Sequence, residues 1–514
     1  MIIKFFSEKS NLIAVAAIGL FLIFGLATIS SHGMVWDEAA QHHLANATLK
    51  WLQGQTPKIE LLRDDLIYYG SFFEIVNQFF GRAVANLFGL GYIDAFHLLI
   101  LLTMVAGLFF LYLFAKTMFG GKVALWALLL LIFSPRFIAH GFYNSKDIPV
   151  AVFSLICLFF LYRVFKEKRI WFSVAAGLFF GLALATRVNA LMVLPIFFIP
   201  FTLVFWPDLK KNLVLIATFL GASAVTVFLA WPALWSDPGL FFKSVNFFLH
   251  HGWQGQVLYL GQVYSANQLP WHYAWVYLAV TTPILILIFW AAGMFSVAGN
   301  LWKKDRVLEN SLLLSWLFIP VLVSMKPGVI KYDGIRHYLI IFPALTIMAG
   351  LGLNHFLGFL TKVLSKHPER ARKIVWAAAC LIFFELAFEF FSVYPYGDAY
   401  FNEALRRIVP RQIENYFEIE YWGSTYRQGA NWLNQNAGEG ALVCVPLADH
   451  LLQFYPVRSD LSFGCSNRSD YLMFFTRQTF LPANLEQTFG YSKLNPVFKI
   501  SRYNSDLLYI YQLK

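Results

Sequence analysis

Long apolar runs constrain this chain more than any other feature. Eleven are present, near residues 11–30, 95–115, 123–134, 148–165, 171–186, 190–206, 212–231, 274–299, 309–325, 338–360 and 375–394. A helix of about 20 apolar residues spans the roughly 30 Å hydrocarbon core of a bilayer. The run at 123–134 is short and borrows residues from its flanks. The first run is too long for a signal peptide, and no small-x-small cleavage site follows it. Hydrophobic residues make up 58% of the 514 positions and charged residues 13%. Soluble domains carry about 25% charged residues, so a soluble or disordered chain is excluded. The expectation is a polytopic α-helical membrane protein with about 11 transmembrane helices.

The net charge of +11 would suit nucleic acid if it formed a basic patch. It does not. With the N-terminus inside, the segments 1–10, 116–122, 163–169, 207–211, 302–309 and 362–373 hold 18 bases and six acids, a net +12, leaving −1 elsewhere. Lys4, Lys116, Lys166, Lys210, Lys304 and Arg370 are typical of the bases, and Asp208 is one of the acids. The positive-inside rule makes this a topology signal, with the N-terminus cytoplasmic. No nucleic-acid partner is expected.

Residues 1–394 read as the transmembrane module and 395–514 as a small extracytoplasmic α+β domain of ordinary polar composition. A helix is expected over Tyr426–Asn436, with strands over Ala441–Pro446, Tyr471–Thr476 and Leu507–Gln512. Cys444 and Cys465 fall in this domain and can pair in an oxidising compartment. Cys157 and Cys380 lie in apolar runs and read as buried thiols. No internal repeat or low-complexity tract is visible.

The outer segments carry mixed charge in four clusters. Trp36-Asp37-Glu38 follows the first run. Acids at a membrane boundary need a partner or a water-filled cavity. They read either as a general base for an acceptor hydroxyl or as solvated loop charges. His42 and His43 follow, but neighbouring residues on a helix point in different directions, which disfavours a metal site. The loop continues through Arg63, Asp64, Asp65, Tyr68 and Tyr69, and the stretch 71–90 reads as an interfacial helix. The second cluster is Arg136 with Asn144-Ser145-Lys146-Asp147-Ile148-Pro149. Asp147 either caps the next helix or serves the site; Arg136 and Lys146 are cations able to hold phosphate. In Thr186-Arg187-Val188-Asn189, the arginine either snorkels or binds phosphate through its fork. Lys331-Tyr332-Asp333-Gly334-Ile335-Arg336-His337-Tyr338 reads as an anion or sugar site, or as an aromatic-belt loop.

These segments, in this order, resemble bacterial membrane glycosyltransferases of the GT-C fold. The group includes protein O-mannosyltransferases and the lipid A aminoarabinose transferase. The resemblance rests on Asp37-Glu38, the Asn144–Pro149 segment, Asp333-Gly334-Ile335-Arg336-His337 with Pro343, and the tail segments Tyr394-Pro395-Tyr396, Tyr400-Phe401-Asn402 and Tyr421-Trp422-Gly423 with Tyr426-Arg427. It implies inverting transfer of a sugar from a polyprenyl-phosphate carrier at the outer face of the bacterial cytoplasmic membrane. Asp37 is then the base with Glu38 its neighbour, and Asp147 faces the same cavity. Arg187, Arg336 and Lys146 neutralise the leaving phosphate. Tyr68, Tyr332, Asp333 and His337 complete the candidate substrate contacts. The phosphate leaves readily, so no cofactor is required, though a divalent cation is compatible. No loop is long enough for the inserted β-trefoil of the eukaryotic mannosyltransferases, which weakens the case for a protein acceptor. Glycolipid, polysaccharide and protein hydroxyl all remain open as acceptors. The alternatives are a transporter or flippase of a lipid-linked sugar, which would favour a mid-membrane site between repeats, and a scaffold whose tail recruits partners.

The topology has a direct test. In intact cells, a membrane-impermeant maleimide should label Asn495→Cys and leave Lys304→Cys unlabelled. Labelling of Lys304→Cys from outside would invert the orientation.

Overall fold

The computed structural model describes residues 8–205, 210–250, 252–409 and 413–514. Lys4 and Asp208 of the basic segments lie outside the described residues. Among the described residues, eight helices are long and apolar enough to cross a membrane: Lys9–Ser31, Tyr92–Phe119, Asp147–Glu167, Lys210–Ala230, Ile284–Trp302, Val307–Ser324, Arg336–Val363 and Pro368–Val393. A ninth is obtained if Gly121–Ile132 and Pro135–Tyr143, bent by 69° across their break, form one broken span. The other two expected runs are helical but short. Ile170–Leu184 has 15 residues, about 22 Å at 1.5 Å per residue, which falls short of the hydrocarbon thickness. The run at 190–206 begins as a 3₁₀ turn, Val188–Met192, before the helix Val193–Phe205. Among the described residues, eight or nine of the eleven runs are thus full-length helices and the other two are shorter apolar ones.

Two helices form the centre. The most apolar windows of Asp147–Glu167 and Arg336–Val363 are each 83% buried, against 22% for Lys9–Ser31, Lys210–Ala230 and Ile284–Trp302. Both central helices begin at the same end of the bundle, with Asp147 and Arg336 in their first turns. Lys166 lies 19 residues along from Asp147, roughly 28 Å by helix rise. It pairs there with Glu309 at 2.8 Å, and Lys116 pairs with Glu8 at 2.5 Å. The basic segments and the mixed-charge segments thus occupy opposite ends.

The amphipathic helix Phe72–Phe88 has an inverted pattern. Glu74, Asn77, Gln78 and Gly81, at i, i+3, i+4 and i+7, are buried, while Phe79, Leu87 and Phe88 are exposed. That suits a helix with lipid outside and a polar interior within.

The C-terminal domain is a five-stranded mixed sheet in the order β4-β3-β5-β7-β6. Its strands are β3 (Leu442–Cys444), β4 (Ser462–Phe463), β5 (Tyr471–Phe475), β6 (Phe498–Arg502) and β7 (Ser505–Gln512). β3 runs parallel to β4 and β5, and β7 is antiparallel to β5 and β6. The helix Tyr426–Asn436 packs against this sheet, with Trp432 stacked on Phe498 at 5.7 Å. β4 and β6 were not among the expected strands. Cys444 and Cys465 form a disulfide; Cys157 is buried, whereas Cys380, read from its apolar run as buried, is exposed on the outer side of its helix. A hairpin outside the domain, β1 (Gln256–Tyr259) with β2 (Gln262–Ser265), bridges to Phe417 through Tyr259.

The domain is fastened to the helices by polar contacts. Met34 N donates to Tyr455 Oη at 2.8 Å, Trp36 N donates to Trp422 O at 2.8 Å, and Arg427 forks onto Asp94 at 2.5 and 3.2 Å.

Candidate functional site

The helix starts that meet at the end opposite the basic segments deliver the charged groups. Asp37 is the second residue of the helix Trp36–Leu52, where the helix dipole favours a carboxylate. Glu38 is third, and its Oε2 accepts from Val35 N at 3.2 Å, the reach-back half of a capping box. Asn144 performs the capping that Asp147 might have done. Its Oδ1 accepts from Lys146 N at 3.2 Å and Asp147 N at 2.8 Å. The Asp147 side chain is thereby released to face the site.

Two glycines permit the approach of the remaining loops. A Cβ on Gly70 would sit 1.8 Å from Ala185 O, so the 69–72 segment lies directly against the end of Ile170–Leu184 and brings Tyr69 beside Arg187. Asp333 and Gly334 both have left-handed backbone, φ 54° and 61°. Asp tolerates that region better than most side chains. The turn aims Asp333 at Arg336, and Gly334 N donates to Tyr273 Oη at 3.0 Å.

The result is one ionic cluster. Asp37 Oδ2 receives Lys146 Nζ at 2.8 Å and Arg336 Nη1 at 2.9 Å. Arg187 is hydrogen-bonded to Asp147, whose other oxygen lies 3.9 Å from Arg336 and accepts from Asn144 at 3.0 Å. Arg336 Nη2 binds Asp333 at 2.7 Å. Arg477, from the C-terminal domain, binds Asp333 at 2.9 Å, and Trp422 Nε1 donates to the same carboxylate at 3.2 Å. Arg336 also lies over Trp422 and Tyr332, at 4.6 and 5.1 Å, a placement that stabilises a desolvated cation. Four cations thus meet three carboxylates. A fourth acid, Glu418, is 3.8 Å from Arg477. Burial pushes its carboxyl up, against the pull of Arg477.

Exposure distinguishes the members. The side chains of Lys146, Arg187, Arg336 and Asp147 are all below 10% exposed, whereas Asp37 is 33% exposed. Burial would raise the Asp37 carboxyl, but Lys146 and Arg336 outweigh it and hold it well below the usual carboxylate range. Both cations act on Oδ2; among the described residues no group bonds Oδ1. The Nε atoms of Arg187 and Arg336 and Nε2 of His337 are buried without a hydrogen-bond partner.

Of the other expected residues, Tyr332 lies at the cluster beneath Arg336, whereas Glu38 and Tyr68 lie outside it. Glu38 turns away from Asp37, with Oε1 3.1 Å from His97 and 3.8 Å from His42; burial lowers His42 to about 4, so it is neutral. Tyr68 stacks on Phe247 at 4.5 Å, outside the ionic cluster. His337 packs edge-on against Tyr332 at 4.7 Å, and Tyr332 stacks on Trp253 at 4.3 Å. Arg136 donates through Nε to Tyr400 O at 2.9 Å and packs over Phe401. Glu74 sits beneath the site, hydrogen-bonded to Ser145. Burial pushes its carboxyl up to about 8, the Ser145 hydroxyl offsetting part of the rise.

Arg477, Trp422 and Trp253 are site residues that sequence reasoning did not nominate as contacts. Arg477 ends the apolar run Tyr471–Thr476, an unusual place for a base, but no spacing links it to residue 333. Among the described residues, the acids placed to share a metal ion are Glu385, Glu389 and Glu403. They lie outside the ionic cluster, and Glu389 already binds Arg406 and Tyr400.

Comparison with known proteins agrees with this architecture. Residues 75–231 match the family described as dolichyl-phosphate-mannose-protein mannosyltransferase. The structure is similar to ArnT from Cupriavidus metallidurans bound to undecaprenyl phosphate, with a TM-score of 0.52 and 15% identity over 98% of both chains. It is also similar to the Archaeoglobus fulgidus oligosaccharyltransferase in its apo form, with a TM-score of 0.53 and 13% identity, covering 87% of this chain and 60% of that one. The complex of the Archaeoglobus enzyme AglB with an inhibitory peptide and a dolichol-phosphate gives 0.51 and 10%, covering 98% and 74%. No curated protein matches the chain in sequence. The chain has the GT-C fold of these membrane glycosyltransferases.

The Arg477 contact should be strongly coupled to Asp333. Removing one partner of a buried pair costs about 3–5 kcal/mol because the other charge is left uncompensated. Arg477→Met and Asp333→Asn should therefore each lower the melting temperature, and the double variant should lose less than the sum of the two. Additive losses in the double variant would contradict the pairing.

Proposed function

We propose that this protein is an inverting glycosyltransferase that moves a hexosyl or pentosyl unit from a polyprenyl-phosphate carrier to an acceptor. The reaction is placed at the outer face of the bacterial cytoplasmic membrane, with the N-terminus cytoplasmic and the C-terminal domain outside. The supporting observation is one half-exposed carboxylate, Asp37, held against buried cations at the end of an apolar bundle. A donor with an anionic head and an apolar tail suits that placement. The family match and the shared fold favour the same reading.

The residues divide the chemistry between them. Arg187, Arg336 and Lys146 take the donor phosphate and neutralise the charge that grows on it as the glycosidic bond breaks. Fixed cations in a water-poor site usually contribute most to the acceleration of such reactions. Arg187 and Arg336 each have an unused Nε–H to offer. Asp37 orients the acceptor hydroxyl and receives its proton while the hydroxyl oxygen attacks the anomeric carbon from the face opposite the phosphate.

A carboxylate this acidic is a poor base. Yet the groups that depress it, Lys146 and Arg336, are those that bind the phosphate. Donor binding draws them from Asp37 Oδ2 and restores its basicity, so the base is activated only when donor is present. The chain itself supplies the positive charge that a divalent cation would otherwise bring.

Two variants test this with purified protein and a synthetic polyprenyl-phosphate sugar. Asp37→Asn should lower kcat about 10²–10⁴-fold, the usual contribution of a general base, with donor KM little changed. Arg187→Lys should raise donor KM about 10-fold or more through loss of charge-assisted bonds. Equal transfer by Asp37→Asn would remove Asp37 as base. Movement of the donor across vesicles without consumption would favour a flippase.

A further inference from the structure

We infer that a groove on the C-terminal domain is an acceptor subsite and that the acceptor places a neutral carbohydrate there. The inference rests on the transferase reading above and names its acceptor class. The groove is a cavity of about 410 Å³, within the usual range of about 300–1,000 Å³ for small-molecule sites. Phe463 and Phe489 supply rings to it, and Asp449, Ser466, Asn484 and Thr488 supply short hydrogen-bonding side chains. One wall is fixed by the Cys444–Cys465 bridge, since Cys465 lines it.

That lining selects among ligands. A sugar ring has an apolar C–H face and a rim of hydroxyls that both donate and accept. Aromatic side chains cover the first, and carboxylate, amide and hydroxyl groups pair with the second. Among the described residues no Lys, Arg or His lines the groove; a phosphate or carboxylate ligand would call for one. A peptide added as a strand needs a long free edge. The edge strand here, β4, has two residues.

Residues close in sequence to the groove lining touch Trp36, the residue before Asp37. The groove's Asp449 is followed by His450, whose ring is 6.2 Å from that of Trp36 and whose Nε2 is 3.5 Å from Trp36 O. Its Pro482 lies two residues after Phe480, whose ring is 5.9 Å from Trp36. Trp36 precedes Asp37. Trp253 and Phe480, stacked at 5.9 Å, offer further half-buried ring faces near Trp36. These contacts tie the rim of the groove to the helix start that carries Asp37.

The test uses the full chain in lipid nanodiscs and saturation-transfer NMR, with maltotriose, chitotriose and mannotriose as neutral probes. Glucose 6-phosphate and an uncharged hexapeptide serve as controls. At least one neutral trisaccharide should receive saturation from the protein. Phe463→Ala and Asn484→Ala, both at exposed positions, should each weaken that signal at least about fivefold, the loss expected for one contact near 1 kcal/mol, without changing the melting temperature. Asp37→Asn should retain it. No signal from any trisaccharide, a signal indifferent to both variants, or a signal from the peptide or the phosphate sugar alone would overturn the inference. Failure of the transferase reading shows separately, as equal sugar transfer by Asp37→Asn.

Discussion

A guanidinium removed from water must be matched by anions, and Arg336 is matched by three. Its side chain is 2% exposed and lies within 4 Å of Asp37, Asp147 and Asp333. These acids come from the start of one helix, the start of a second and a left-handed turn before a third. The desolvation penalty of a buried charge is several kcal/mol and is recovered only if all partners hold their places. Arg336 therefore fixes how the outer ends of three segments meet. Asp333 extends the constraint through Arg477 to the C-terminal domain, so that domain braces the site.

The same arrangement makes the site responsive to an anion. The cations outnumber the ionic cluster's aspartates by one, and the carboxylate they hold least enclosed is Asp37. A phosphate entering the cluster competes for Lys146 and Arg336. It cannot displace Asp147 or Asp333 as easily, because both are buried and held by further donors, Asn144 and Trp422. The exchange thus falls on Asp37, the residue proposed to act on the acceptor. Donor binding and base activation become one electrostatic event.

Much of this was legible in the sequence because it was local. Apolar runs, loop charge asymmetry and turn residues carry information over a few positions, and they placed the bundle, its two ends and the charged starts of its helices. Asp37 and Glu38 show a finer case. Adjacent helical residues point about 100° apart, so one faces the cluster and the other reaches His97. Arg477 was illegible for the opposite reason. Its partner is 144 residues earlier, and the pairing exists only once the domain has docked. The short spans failed on length, since an apolar run does not reveal where a 3₁₀ turn or a bend will interrupt it. The inverted Phe72–Phe88 helix was visible as amphipathic, but which face was inward depended on lipid being its solvent.

Everything proposed for the reaction depends on Arg187, Arg336 and Lys146 forming the phosphate seat. A cryo-electron microscopy map of the protein in nanodiscs with a polyprenyl monophosphate would show whether they do. Phosphate density is expected in contact with the Arg187 and Arg336 guanidinium groups, together with a lengthened Lys146–Asp37 distance. Phosphate density elsewhere, with both Lys146 and Arg336 still closed on Asp37, would contradict the assignment.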